Sequence, residues 1–374
     1  MKSKKHVLII NYDFPPYGGI GGRRWAKFAK YLFKSQVDFT VLTYQNSSKK
    51  SPWGVDVLNF KHAIEYINGN YPTVVDSVPT TLIQKIKYRI AILKLKFFTT
   101  GNFYDKTCLD GSLIKNRVEE LLKQKKITDV VVSVAPFRLA FYISELIPKY
   151  PQINFVVDFR DPWTVNKTSY GYSYLTKNKQ EQEKEMERKV ISKFNKVVSV
   201  APEMTKYFQT LDPSNTDKFH TVINGYDLEE LIGIDAKKPE VTEELNLVFT
   251  GTFYNNTGYL VKEFTSALEI LEKDYYSVYK SIKFNFYGAN SKVIAALSNR
   301  FLPIIDHDTV PKESIAKIIN EADGGLIFLS EDITYSFSTK FCEYLALKKP
   351  IIVFSKTGYT SKYVNDNGIG HVVR

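Results

Sequence analysis

The sequence predicts an α/β protein of two doubly wound, Rossmann-like parallel-sheet domains facing each other across a cleft. Three observations point there. Short apolar runs alternate with helical patterns twice, before and after a turn-rich stretch at 219–244. The runs are β-branched and apolar on both faces, as strands covered on both sides by helices require. At 374 residues the chain also exceeds what one ordinary core encloses.

The first domain is expected over 1–218. "HVLII" (6–10) reads as a strand, and "RRWAKFAKYLFK" (23–34) as a helix with Trp25, Phe28, Ala29 and Leu32 on one face. Further buried strands are expected at 39–43, 129–134, 153–159 and 196–200. The alternating charges of "NKQEQEKEMERKVISKF" (178–194) predict a solvated helix face. A linker at 219–244 leads to a second domain over 245–374. There, strands are expected at 245–251, 282–288, 324–329 and 350–355, with helices around 260–272, 311–321 and 339–347.

Composition is that of a globular chain, 44% hydrophobic and 24% charged. Only Cys108 and Cys342 are cysteines, so no disulfide framework exists and a reducing cytoplasm fits. The five histidines are scattered, which predicts no metal site built from His and Cys. Lys and Arg number 51 against 40 Asp and Glu, a net charge of +11, which suits anionic partners. No apolar run reaches the length that spans a bilayer, and the one after the basic N-terminus is too short for a signal peptide. These totals predict a protein that is soluble or sits on a surface.

"IINYDFPPYGGIGGRRW" (9–25) places four glycines and two arginines where a strand gives way to a helix. Such a turn leaves backbone N–H groups free to meet an anion. A dinucleotide fingerprint fails, because Arg24 stands at the third glycine position and no acidic residue ends "FTVLTYQ". No G-K-[ST] of a Walker loop occurs either. The alternative is a tight turn needing positive φ, with Arg23 and Arg24 merely solvated. At the far end, Ser338 and Thr339 can cap a helix whose first turn carries Lys340 and whose next includes Glu343. That is physically a phosphate site with a carboxylate able to accept two hydroxyls, as from a ribose. An ordinary amphipathic helix with Phe341, Tyr344 and Leu345 in the core accounts for the same residues.

Between Ser77 and Tyr104 there is no acidic residue, yet Lys85, Lys87, Arg89, Lys94 and Lys96 fall there. Leu82, Ile86, Ile90, Leu93 and Phe97 share one helical face between them. A basic amphipathic helix over 82–97 can lie in an anionic leaflet or pack its apolar side on the core; the sequence leaves both open.

In order along the chain, "FPPYGGIGGRRWAKFAKYL", "DFRDPW", "VINGYD", "FTGTFY" and "STKFCEYLALKKPII" resemble glycosyltransferase family 4 of the GT-B fold. The likeness is greatest to bacterial members that build surface polysaccharides, and it runs from residue 6 to 373. It implies a retaining transfer of a sugar from a nucleotide diphosphate sugar, UDP- or GDP-linked, to a hydroxyl of a glycan or lipid-linked acceptor. The resemblance also implies that no metal or other cofactor is required; with no zinc-finger spacing or RNP-like aromatic motif, nucleic acid is not expected as a partner.

Carried over by motif, Gly18, Gly19, Gly21 and Arg24 would approach the donor. Gly251, Thr252 and Phe253 would face its diphosphate, and Pro311 would begin the segment near the nucleobase. Ser338, Thr339 and Lys340 would hold phosphate, and Glu343 the ribose. Arg160 and Asp161 would position the acceptor, unless they are a buried ion pair closing the domain. Trp163 is expected in the core, and Asn224-Gly225 of "VINGYD" as a positive-φ hinge turn. Tyr335 stands where the family carries a first glutamate, and the chain stops at "GIGHVVR" where relatives continue. Both favour the rival expectation of a truncated, catalytically idle relative that binds a nucleotide sugar or a partner.

Overall fold

The computed structural model describes residues 5–45, 51–75, 78–166, 170–235, 243–251, 258–288, 292–329, 335, 337–355 and 358–373. The chain divides into two compact units, Met1–Val222 and Ile223–Arg374.

Unit 1 runs β1 His6–Asn11, α1 Arg23–Lys34, β2 Asp38–Tyr44, β3 Ile64–Ile67, α2 Leu82–Phe98, α3 Gly111–Gln124, β4 Asp129–Val134 and α4 Arg138–Ser144. It continues through β5 Asn154–Phe159, α5 Lys177–Lys193, β6 Lys196–Ser199, α6 Pro202–Leu211 and β7 Phe219–Thr221. The strands form one sheet in the order β3-β2-β1-β4-β5-β6-β7, every neighbouring pair parallel. Parallel neighbours need crossovers, and these lay helices on the faces, which is why Leu8, Ile9 and Ile10 of β1 are all fully buried. On one face α1 presses Ala26 and Ala29, with Trp25 and Leu32 beside them, onto Ile9, Phe39 and Val41.

Unit 2 runs β8 Leu245–Thr250, α7 Gly258–Asp274, α8 Tyr276–Ser281, β9 Ile282–Tyr287, α9 Lys292–Arg300 and β10 Ile304–His307. After these come α10 Lys312–Glu321, β11 Gly324–Phe328, α11 Thr339–Ala346, β12 Ile351–Phe354, α12 Tyr359–Asp366 and β13 Gly370–Val373. Its sheet, again parallel, has the order β10-β9-β8-β11-β12-β13. One face is packed by Phe264, whose ring meets Phe284, Phe328 and Phe354 edge-on at 5.1, 5.5 and 5.3 Å. The other is packed by Phe337, Phe341 and Tyr344.

Three expectations need correction. Residues 219–221, assigned to the linker, are the edge strand β7. Asn224 and Gly225 do not adopt positive φ; instead Asn224 Nδ2 donates to Phe337 O at 3.1 Å and ties this segment to the start of α11. The charged helix α5 is not simply a solvated face, because Glu183 and Glu187 are buried with Met186, Val190 and Ile191. Glu183 Oε1 pairs with Arg138 Nη2 at 2.9 Å, and its Oε2 accepts from Trp163 Nε1 at 2.6 Å. Trp163 is a core residue, as expected.

Candidate active site

In an open parallel sheet, a crevice opens beyond the strand ends where successive connections leave in opposite directions. The strand orders put that switch point between β1 and β4 in unit 1, and between β8 and β11 in unit 2. Of the residues singled out from sequence, Gly18, Gly19, Gly21, Arg24 and Arg160 lie around the first place, and Gly251 and Lys340 around the second.

In unit 1 the chain leaves β1 and folds back over Asp13. Gly21 is needed for closeness: a Cβ there would lie 2.8 Å from Arg160 Nη1 and 3.0 Å from Asp13 Oδ2. Gly18 sits at φ +90°, and at Gly19 a side chain would meet open space. Gly22 then starts α1 with no side-chain cap. Arg160, arriving from β5, donates from Nε to Val134 O at 3.2 Å and from Nη2 to Ala135 O at 2.7 Å. It therefore spans the ends of β4 and β5 beside the glycine turn. Asp161 Oδ2 accepts from the Tyr170 hydroxyl at 2.6 Å, and burial together with this carboxylate pushes the Tyr170 phenol above its ordinary range.

Arg24 is tied to groups of unit 1 itself. Its Nε and Nη2 reach the two Asp158 oxygens at 3.0 and 3.2 Å, and Nη2 also donates to Val222 O at 2.9 Å. The guanidinium lies 4.9 Å above the Phe28 ring, and Trp25 Nε1 donates to Asp158 Oδ2 at 2.7 Å. Sequence reasoning missed Asp158, although it ends a strand in "DFRDPW". It also missed a polar row beside it. The register aligns Asn11 with Ser133 and Ser133 with Asp158 across three strands. The Asn11 amide and the Ser133 hydroxyl are buried without a hydrogen-bond partner. Only "polar residue ending an apolar run" could have flagged them.

In unit 2, β8 ends at Thr250 and is followed by Gly251, whose N–H donates to Tyr287 O at 2.7 Å. Gly251 has φ +120° and Gly288, just past β9, has φ +144°. A Cβ on Gly288 would come 2.3 Å from Gly251 O. Into this close-packed turn reaches Lys340 from α11. A Cβ on Gly251 would meet Lys340 Cε at 2.7 Å and Nζ at 2.9 Å. The ammonium also stands 5.0 Å over the Phe249 ring. Burial lowers the Lys340 pKa, while the Glu343 carboxylate, three residues on along α11, acts to raise it.

The start of α11 is well fixed. Ser338 Oγ accepts from Phe341 N at 3.2 Å, the expected N-cap. The Tyr344 hydroxyl donates to Val248 O at 3.0 Å and Leu326 O at 3.3 Å, pinning the helix to β8 and β11, the strands that flank the switch point. Thr339 opens the helix, and both Thr339 and Glu343 are half-buried. Pro311 precedes α10. Before it, Thr309 Oγ1 donates to Gly288 O at 3.2 Å, and His307 stacks on Tyr287 at 4.1 Å. Thr252 and Phe253 lie outside the described residues.

A half-buried ammonium, a helix start and a positive-φ glycine turn make this a place where an anion gains charge-assisted bonds.

Two doubly wound parallel-sheet domains in tandem define the GT-B fold, and that is the class of this chain. No family model matches it, and no curated protein does. Solved structures match over nearly its full length. A trehalose-6-phosphate synthase is 11% identical with a TM-score of 0.61, covering 99% of this chain and 88% of that one. A lipopolysaccharide outer core galactosyltransferase in its apo form is 10% identical at 0.59, covering 98% and 85%. An E. coli trehalose-6-phosphate structure bound with UDP-2-fluoro glucose is 10% identical at 0.57, covering 99% and 88%. At such identities the likeness carries the fold.

Proposed function

We propose that the protein is a cytoplasmic glycosyltransferase. It moves a sugar from a UDP- or GDP-sugar to a hydroxyl of a glycan or lipid-linked acceptor, with retention of configuration, in the synthesis of a surface polysaccharide. The observation that carries the reading is Lys340, held by a fixed helix against Gly251 at the switch point of unit 2. Similar folds have been solved with a UDP-sugar analogue bound and as a galactosyltransferase, which supports a nucleotide-sugar donor. The ordered motifs of family 4 support the finer assignment.

In this reading unit 2 holds the donor. Lys340 Nζ and the N–H groups at Gly251 and Thr339 bind diphosphate oxygens, Ser338 fixes the helix start, and Glu343 accepts the ribose hydroxyls. As the family motif implies, Gly18, Gly19 and Gly21 of unit 1 approach the donor, Arg160 and Asp161 position the acceptor, and Arg24 is paired with Asp158 at the start of α1. The acceptor oxygen forms a bond to the anomeric carbon as the bond from that carbon to the phosphate oxygen breaks. The acceptor proton passes to the departing diphosphate on the same face, so a glycoside and a nucleoside diphosphate result. Negative charge builds on the leaving oxygens, where a prepositioned cation and backbone donors lower the barrier. Lys340 supplies that charge without a required metal.

The test is a thermal-shift screen with UDP, GDP and CDP, followed by nucleotide-release assays with their sugars and NMR of the product anomer. A base-selective rise in melting temperature and turnover that persists in EDTA are expected. Absence of both binding and turnover rejects the assignment. Binding without turnover for any sugar identifies a catalytically idle relative instead.

A further inference from the structure

The helix α2 presents outward the face that its sequence would normally bury. At about 100° per residue, Leu82, Ile83, Ile86, Ile90, Leu93 and Phe97 fall within an arc of about 100°. All six are exposed, by between 49% and 84%. The helix is fastened by a different side: Ile92 and Leu95 pack with Val75, Tyr71, Phe103, Tyr172 and Leu175. The side opposite that anchor is a continuous apolar stripe over about four turns, not an isolated exposed residue.

Charge frames the stripe. Lys85, Arg89 and Lys96 lie along one margin and Lys87 and Lys94 along the other, all exposed. Lys96 also leans 5.5 Å from the Phe103 ring. No acidic residue occurs from Ser77 to Tyr104. The helix is closed at its start by a reciprocal cap, Thr81 accepting from Gln84 N and Gln84 accepting from Thr81 N. Its conformation therefore does not wait for a partner. No helix among the described residues is long and apolar enough to cross a membrane.

We infer that α2 is a surface anchor that lies in the plane of an anionic lipid bilayer, its apolar stripe among the acyl chains and its five cations at the headgroups. The flanking cations select the occupant. A second copy of this face would set like charges against each other, whereas lysine and arginine stems reach from an apolar stripe to lipid phosphates. The inference stands apart from the donor assignment, and its failure leaves nucleotide binding untouched.

The experiment is co-sedimentation of the full chain with phosphatidylcholine vesicles, neutral or containing about 30 mol% phosphatidylglycerol. Two variants accompany the natural chain: Ile86→Ser with Ile90→Ser and Leu93→Ser, and Lys85→Gln with Arg89→Gln and Lys94→Gln. The natural chain should bind the anionic vesicles at least about tenfold better than neutral ones, with binding weakened by salt. Both variants should lose that binding at unchanged melting temperature and unchanged UDP response. Equal binding by the apolar variant, or no preference for anionic lipid, overturns the inference. So does a natural-chain dimer that the serine variant dissolves, which gives the stripe to a second copy. A large drop in melting temperature on serine substitution shows the stripe to be covered within the fold, and also overturns it.

Discussion

Lys340 and Gly251 compete for one volume: the ammonium lies where a side chain on Gly251 would begin, 2.9 Å from its Cβ position. The backbone, more than the space, holds residue 251 to glycine, because the end of the Lys340 side chain can swing aside. The backbone is at φ +120°, which side chains rarely tolerate. Gly251→Ala should destabilise unit 2 by about 1–3 kcal/mol and displace the ammonium. Urea denaturation and UDP titration together measure it; an alanine variant that binds UDP as the natural chain does would separate Lys340 from the nucleotide.

The pH dependence of binding should report the same lysine. Burial lowers its pKa from the ordinary 10.5. Between the lowered value and 10.5 the unfolded chain binds more protons than the folded one, so this group makes stability rise with pH across that window. A diphosphate beside it favours the charged form and reverses the shift. UDP binding should then take up protons in the window, and affinity should fall as pH climbs through the lowered value. Calorimetry in buffers of different ionisation enthalpy reads the uptake. It should vanish in Lys340→Met, and identical uptake in that variant assigns the proton elsewhere.

Arg24 and Asp158 form a strut, with side chains only 9% and 2% exposed. Asp158→Ala strands a guanidinium among Trp25, Phe28 and the end of β5. A loss of about 3–5 kcal/mol is expected, measured by urea denaturation. A contact made only to the donor would leave the stability of the free protein unchanged, so this measurement distinguishes the strut from the direct donor role that the motif implies.

How far the sequence could be read follows the burial of each segment. The interior strands announce themselves: β1, β2, β4, β11 and β12 by near-continuous apolar runs, β5, β6 and β8 by apolar runs with a polar residue, and β9 "IKFNFY" by strict alternation with one face buried. The strands not foreseen are β3, β7, β10 and β13, and all four are sheet edges of three or four residues. An edge strand with half its side chains in solvent, such as "FHT" of β7, carries no periodic signal. Lys340 was legible because cap, lysine and glutamate lie within six residues. Asp158 was not, because its partner Arg24 stands 134 residues away, and no local pattern encodes such a pairing. The outward stripe of α2 was legible as a stripe, but only the packing of Ile92 and Leu95 decides which side faces in.

The buried carboxylates of α5 should behave differently from each other. Glu183 answers a cation, Arg138, and also accepts from Asn102 N at 2.7 Å. Glu183→Ala should cost about 3–5 kcal/mol by leaving that guanidinium unpaired, and should perturb Trp163, whose indole N–H loses its acceptor. Near-UV circular dichroism would register the change. Glu187 is held by the hydroxyls of Thr164 and of Tyr207, the latter at 2.8 Å. Burial raises its pKa above the ordinary 4.5, with these hydrogen bonds opposing the rise. The folded state then binds the proton more tightly than the unfolded chain, so this group favours folding below 4.5, and that contribution drains away as pH climbs through the raised value. Glu187→Gln removes the titration and keeps an acceptor for a hydroxyl. Its stability relative to the natural chain should improve as pH rises from about 4 to 7. Paired urea titrations at several pH values measure that difference, and a gap that does not change with pH would show that Glu187 is charged in the folded core.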